Sequence, residues 1–188
     1  MSAVAENTER TPVWIIMPAY NAASYIEEAI RSVMAQTYDA WYLLVLDDGS
    51  SDDTVERVRR LAQEDTRITL SVNEQNVGVA RTRNRGMDLC GEGYVAFLDS
   101  DDCWHPEKLE CQVRLAEESG ADILYSSYAV VDSNDQPCRR NYIVPQEADF
   151  NLLLRENVIG CSAAMLSPRA AQTYRFPLGF YHEDYCLW

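Results

Sequence analysis

Basic residues are scarce in this chain. Sixteen Lys and Arg stand against 30 Asp and Glu in 188 residues, a net charge of −14. That balance argues against nucleic acid as a partner, because a phosphate backbone needs a basic face, and against electrostatic docking on anionic lipid. It does not argue against a nucleotide held through a metal ion, which neutralises both sides locally. No apolar run reaches the length of a membrane span, and the N-terminal stretch Met1–Thr11 is polar without an apolar core. A cytoplasmic protein is therefore expected. Histidine is limited to His105 and His182, and the six cysteines (Cys90, Cys103, Cys111, Cys138, Cys161, Cys186) contain no CxxC pair, which argues against zinc. Without a secretion signal the cysteines read as buried, reduced thiols. A Gly-rich basic phosphate loop is also missing after the first apolar run, which argues against a nucleotidyltransferase.

What the sequence does have is acid, concentrated in two places. Phe97-Leu98-Asp99-Ser100-Asp101-Asp102 sets three carboxylates in four residues at the end of the apolar run Tyr94–Leu98. Burying even one unpaired charge is costly, so such a cluster calls for a cation or for solvent. Hard divalent ions such as Mg²⁺ or Mn²⁺ take carboxylate oxygens and share them with substrate phosphates. A solvated acidic turn is the alternative for one such cluster. A second cluster, Asp47-Asp48-Gly49-Ser50-Ser51-Asp52-Asp53, stands in the same place after the run Trp41–Leu46. Two acidic strand ends in one sheet converge on one crevice.

The order of elements supports that convergence. Val13–Met17 is an apolar strand ended by Pro18, which cannot donate to a ladder. Ser24 can cap a helix with Ile26, Ala29, Ile30, Val33 and Met34 at helical spacing. Trp41–Leu46 is the second strand, and Asp52 or Asp53 can cap a helix carrying Val55, Val58 and Leu61. Ile68–Val72 is the third strand and Val77–Leu89 a helix whose Arg81, Arg83 and Arg85 read as a solvated face rather than a pyrophosphate clamp, with one of them facing the cleft as the alternative. Tyr94–Leu98 is the fourth strand, followed by a helix from His105-Pro106 with Leu109, Val113 and Leu115 inward. Ile123–Val131 is extended, Asp132–Asp135 a turn, Leu152–Glu156 a short helix, Cys161–Leu166 a strand and Pro168–Thr173 a brief helix. This alternation predicts a mainly parallel sheet between helices. Ligands of such sheets sit outside the carboxyl ends of the strands, where Pro18–Asn21, Asp47–Ser50 and Asp99–Asp102 lie.

These segments resemble a known family. Met17-Pro18-Ala19-Tyr20-Asn21, Asp47-Asp48-Gly49-Ser50, Asn76-Val77-Gly78, Phe97–Asp102 and His182-Glu183-Asp184 are similar to the successive motifs of family 2 inverting glycosyltransferases. The resemblance runs from about Val13 to the C-terminus. It implies a three-layer GT-A fold with a mainly parallel central sheet, in one domain over 1–188. Residues 12–135 form the nucleotide-binding part and 136–188 the acceptor-side part. It further implies a metal-dependent enzyme that moves a sugar from a nucleotide-sugar, expected to be a UDP-sugar, to an acceptor hydroxyl with inversion, in polysaccharide, cell-envelope or glycolipid synthesis. Many members continue with a helix carrying a Gln/Arg-x-x-Arg-Trp motif and a membrane-proximal tail. The chain instead stops at Trp188, so a truncated C-terminus and membrane association through the missing region are expected. The alternative is a catalytically incomplete nucleotide-sugar-binding fragment of a longer synthase.

The same resemblance assigns residues. Pro18 and Tyr20 would lie at the nucleotide, Tyr20 stacking on the base, or Tyr20 is a partly buried end to strand one. Asp48 would accept the base's ring N–H, while Asp47 holds the Gly49-Ser50 turn. Asp101 would coordinate Mn²⁺ or Mg²⁺, with Asp99 at the ribose or at a metal-bound water. Asp102 reads as a cap of the next helix. Asp184 would be the general base, with Glu183 or His182 orienting it or touching the acceptor, or else Glu183 and Asp184 are acidic first-turn residues favoured by a helix dipole. Trp104 and Trp188 line a sugar site or fill the core.

Overall fold

The computed structural model describes residues 10–132, 136, 138 and 141–188. Of the expected turn Asp132–Asp135, residues Ser133, Asn134 and Asp135 lie outside the described residues.

Strand β1 (Val13–Ala19) runs parallel to β2 (Trp41–Asp47), in register from Val13 opposite Trp41 to Ala19 opposite Asp47. On its other side β1 pairs parallel with β4 (Tyr94–Phe97), and β3 (Ile68–Val72) extends the sheet beyond β2. Helices α1 (Ile26–Met34), α2 (Thr54–Glu64) and α3 (Val79–Leu89) supply the crossovers that parallel neighbours require. Two further strands are short and antiparallel. Strand β6 (Met165–Leu166) pairs with β4, and β5 (Ile123–Leu124) pairs with β6, giving the order β3-β2-β1-β4-β6-β5.

Alternation along the strands divides the core between two faces. Ile15, Met17, Leu43, Val45 and Leu98 pack against α1, α2 and α4 (Lys108–Ser119). Ile16, Val95 and Phe97 point the other way, against Met87 of α3, Ala170 and Ala171 of α6 (Pro168–Thr173), and Phe176. Helix α3 crosses β1 at Gly86, where a Cβ would stand 2.7 Å from a methyl of Ile16. The close packing explains a glycine inside a helix.

Several local expectations need correcting. Pro18 does not end β1, which continues to Ala19. Odd residues of β1 bond toward β2 (Val13 N–H to the Ala40 carbonyl, Asp48 N–H to the Ala19 carbonyl), and Ile16 bonds toward β4 by accepting the Leu98 N–H. Pro18 therefore faces the β4 side, beyond the last β1–β4 pair at Ile16, where no ladder needs its N–H. Tyr25, not Ser24, precedes α1, and Asp52 rather than Asp53 bonds the first turn of α2, accepting from the Thr54 N–H at 3.0 Å. Helix α4 starts at Lys108, Asp102 does not cap it, and Leu115 is exposed while Ala116 takes its inward place. The run Ile123–Val131 joins the sheet only at β5. A 3-10 turn at Cys161–Ala163 shortens the later strand to β6, and the short helix α5 begins earlier, at Phe150–Leu153. Residues 182–187 form turns rather than a helix. Cys161 is buried and Cys90 half-buried, but Cys103, Cys111, Cys138 and Cys186 are exposed, against the expectation of buried thiols.

Lys108 opens α4 with its ammonium 4.0 Å above the Trp104 ring and 2.7 Å from the Gln112 Oε1 that accepts from it. Burial draws its pKa from the ordinary 10.5 down to about 7. A lysine whose folded pKa is lowered costs stability while the unfolded chain stays protonated. Its contribution therefore improves as pH rises from about 7 toward 10.5. Replacing Lys108 with Met, which keeps the stem, is expected to raise stability near pH 7 by about 1 kcal/mol, or about 2–4 °C in Tm. The gain should shrink toward pH 10. A gain independent of pH in thermal melts of both proteins would refute this account.

Candidate active site

The carboxyl ends of β1, β2 and β4 open onto a cleft of about 360 Å³. Pro18, Tyr20, Asp48, Asp99 and Asp101, five of the six residues expected in the site, line it together with Gly78, Thr82 and Arg83. A larger groove of about 460 Å³ between α3, the start of β4 and α6 holds none of the strand-end carboxylates. No helix among the described residues is long and apolar enough to cross a membrane.

Local bonding explains how the first two loops meet. Asn21 takes a positive φ of 50°, its N–H donates to Ser50 Oγ, and its Oδ1 accepts from the Ser51 N–H, each at 2.9 Å. Asp47 is fully buried, and its Oδ2 accepts the N–H groups of Gly49 and Ser50 at 3.2 and 3.0 Å, the turn-holding role expected of it. Gly49 has φ 78°, and a Cβ there would lie 3.0 Å from the Asn76 nitrogen. A side chain at this position would push the 73–78 loop off the cleft. Tyr20, 53% exposed, presents its ring at the end of β1 and is not the partly buried alternative.

Asp48 is buried, yet its carboxylate is held below the usual range. Desolvation pushes its pKa up, but the Val77 N–H, the Asn73 amide and the Gly78 N–H together outweigh it. Those donors lie at 2.9, 2.7 and 2.9 Å. Asn73 Oδ1 in turn accepts from Arg85, which points its amide N–H₂ at Asp48. Asp48 is thus an ionised acceptor that ties β2 to the loop leading into α3.

At the end of β4 the Asp99 N–H donates to Ser162 Oγ at 3.0 Å. The Ser162 hydroxyl also bonds the Asp102 carboxyl, whose pKa is raised by desolvation and then by the charges of Asp99 and Asp101. Asp101 is exposed and carries no hydrogen bond or ion pair among the described residues. Among the described residues no three His, Cys, Asp or Glu side chains are grouped to cage a metal. The donor set is hard oxygen from Asp101 and Asp99 beside an open cleft. That set fits Mg²⁺ or Mn²⁺, which bind through one or two carboxylates and complete their shell with waters and substrate phosphates.

The sixth expected residue stands apart. Asp184 is half-buried, does not line the cleft, and its Oδ1 accepts the N–H of its neighbour Tyr185 at 2.8 Å. The link to the cleft is the adjacent Glu183, whose Oε1 accepts from Arg83 Nη1 at 2.5 Å, while Arg83 Nη2 donates to Asp99 Oδ1 at 2.5 Å. Arg81 and Arg85 are the exposed face expected of them, while Arg83 is buried and lines the cleft, the alternative left open for one of the three. Its spacing of three and four from the inward Gly86 and Met87 was the signal available in the sequence. Ser162 lies in the run Cys161–Leu166, which reads as a plain strand in the sequence and forms a 3-10 turn at Cys161–Ala163 instead, so nothing marked it as a partner of the acidic cluster. Trp104 and Trp188 are core rather than cleft: the Trp104 indole N–H donates to the Ser162 carbonyl, and Trp188 packs on Phe97 and Phe176.

The family model described as "Glycosyl transferase family 2" matches residues 14–177. An Escherichia coli protein named UDP-Glc:alpha-D-GlcNAc-diphosphoundecaprenol beta-1,3-glucosyltransferase WfgD is 40% identical over 177 residues, covering 94% of this chain and 68% of that one. Among solved structures, S. aureus TarS 1-349 in complex with UDP superposes with a TM-score of 0.75 at 22% identity, over 94% of this chain and 53% of that one. The mannosyltransferase PcManGT of Pyrobaculum calidifontis, in complex with GDP-Man and Mn²⁺, gives 0.73 at 21% identity, over 96% and 51%. The chain spans about half the length of these solved chains.

Proposed function

The chain belongs to glycosyltransferase family 2 and has the GT-A fold, and from that membership we propose that it transfers a sugar from a UDP-sugar to an acceptor hydroxyl with inversion, in cell-envelope glycan or glycolipid synthesis. The observation that carries the proposal is the meeting of Tyr20, Asp48, Asp99 and Asp101 from three strand ends in one cleft. In this reading the exposed Tyr20 ring stacks on the nucleobase and the ionised Asp48 accepts the ring N–H of uracil. Asp99 faces the ribose, and Asp101 with Asp99 would hold a divalent ion, which when bound would supply neutralising charge for the departing diphosphate. Asp184 takes the proton of the acceptor hydroxyl as that oxygen attacks the anomeric carbon from the opposite side. Residues 12–135 then form the nucleotide side and 136–188 the acceptor side of one domain.

One observation favours a second reading, a nucleotide-sugar-binding part of a longer enzyme: Asp184 does not line the cleft and bonds its own turn. Turnover decides between the two. UDP-glucose and a GlcNAc-diphospholipid, the pair printed in the name of the 40% relative, make the first assay. Product of inverted configuration is the expected result. Tight UDP binding without product from any acceptor would leave only the second reading.

Base recognition can be tested without chemistry. Asp48→Ala is expected to weaken free uridine by about 10- to 100-fold in competition against a labelled donor, the worth of a hydrogen bond to a charged group. Tm should fall too, because the Val77 and Gly78 N–H groups lose their acceptor. An unchanged uridine affinity, or a native preference for guanosine, would remove Asp48 from the base site.

A further inference from the structure

Arg83 sits where the donor side and the acceptor side meet. Its side chain is 5% exposed, between Asp99 at 34% and Glu183 at 12%. Each Nη holds one carboxylate at 2.5 Å, and the ring of Phe176 lies 5.3 Å beneath the guanidinium. Two carboxylates share one buried cation: burial works against the charge, but Cys161, Asp99 and Glu183 beside it outweigh burial and raise its pKa, so the cation stays charged. Leaving the pair for a substrate phosphate would strand both acids, which argues against a direct role in binding diphosphate. A guanidinium is planar and rigid, so its two donors fix the separation of the two carboxylates.

What each carboxylate carries gives that separation a purpose. Asp99 belongs to the strand-end loop with Asp101. Glu183 precedes Asp184 in a turn closed by the Cys186 N–H to the His182 carbonyl and the Leu187 N–H to the Asp184 carbonyl. Away from the cleft the turn rests on Trp188, whose indole N–H donates to the Ile159 carbonyl, and on the Tyr185 hydroxyl, which donates to the Leu153 carbonyl. Toward the cleft, its side-chain bond among the described residues is that of Glu183 to Arg83.

We propose that Arg83 is a positioning residue: acting through Glu183, it holds Asp184 at a set place relative to Asp99, so that the donor loop and the general-base turn move as one body. The proposal rests on the transfer reading above. The test compares the native chain with E183Q, R83M and the double variant, using UDP-glucose with the GlcNAc-diphospholipid for kinetics and UDP with Mn²⁺ for calorimetry. E183Q is expected to lower kcat by about tenfold or more, with the KM for UDP-glucose and the Kd for UDP within about threefold of native. A residue that merely supported the fold would not split the constants in this way. The double variant should be no slower than R83M alone, since Glu183 then has no guanidinium to act through. If R83M does not fold, R83K replaces it: it keeps the charge but not the two-ended fork, and the same pattern is expected. Native kcat in E183Q, or a double variant showing the full product of the single effects, would overturn the positioning while leaving the transfer reading in place. A native chain that binds UDP and transfers nothing would overturn the transfer reading, and the positioning with it.

Discussion

Asp184→Asn is expected to slow transfer by about 10²–10⁴-fold, the usual worth of a positioned proton acceptor. Asparagine keeps the shape and the Oδ1 that accepts the Tyr185 N–H, so the turn should survive. What it removes is the second carboxylate oxygen, which in the proposed mechanism takes the proton of the acceptor hydroxyl. The loss should fall on kcat and not on the KM for the donor, because the proton moves in the transition state and not on binding. UDP affinity should be unchanged, since Asp184 is outside the residues lining the cleft. Steady-state kinetics beside UDP calorimetry gives both numbers. Transfer at the native rate would leave Asp184 a turn residue, and the base would have to be sought elsewhere.

Asp101→Asn is expected to produce the other large effect, on binding. With Mn²⁺ present, UDP should bind about 100-fold or more weakly than to the native chain, because Asp101 would be the chief holder of an ion whose charge offsets the repulsion between the diphosphate and the strand-end carboxylates. EDTA should reduce the native chain to the level of the variant and leave the variant almost unchanged. The fold should tolerate the change, since Asp101 is exposed at a strand end and bonds nothing among the described residues. Native affinity that is equal with and without EDTA would exclude a role for a divalent ion in UDP binding. A variant that fails to fold would make the acidic cluster structural.

The parts of this protein that were legible in the sequence are those built by local periodicity. The apolar runs of β1 to β4 and the helices between them force a parallel order, because parallel neighbours need a crossover that here is a helix. A parallel order puts every strand's carboxyl end on one side, so Pro18, Tyr20, Asp48, Asp99 and Asp101 were bound to converge once the strands were recognised. The Asp47 turn was legible for the same reason, since its partners are two and three residues away. Tertiary structure decided what depends on distant partners. The harmless side for Pro18 is set by where β4 stops, and the antiparallel pairing of β6 and β5 by Met165 and Leu166, which meet Ala96 and Val95 of β4 from 69 and 71 residues on. Asp48 found its acceptor role in a loop 29 residues on, at Val77. Arg83, one of three similar arginines in the sequence, became the link between Asp99 and Glu183, the latter 100 residues away. Periodicity records which face of an element is buried, and it carries no record of which distant charge will meet that face when the chain closes.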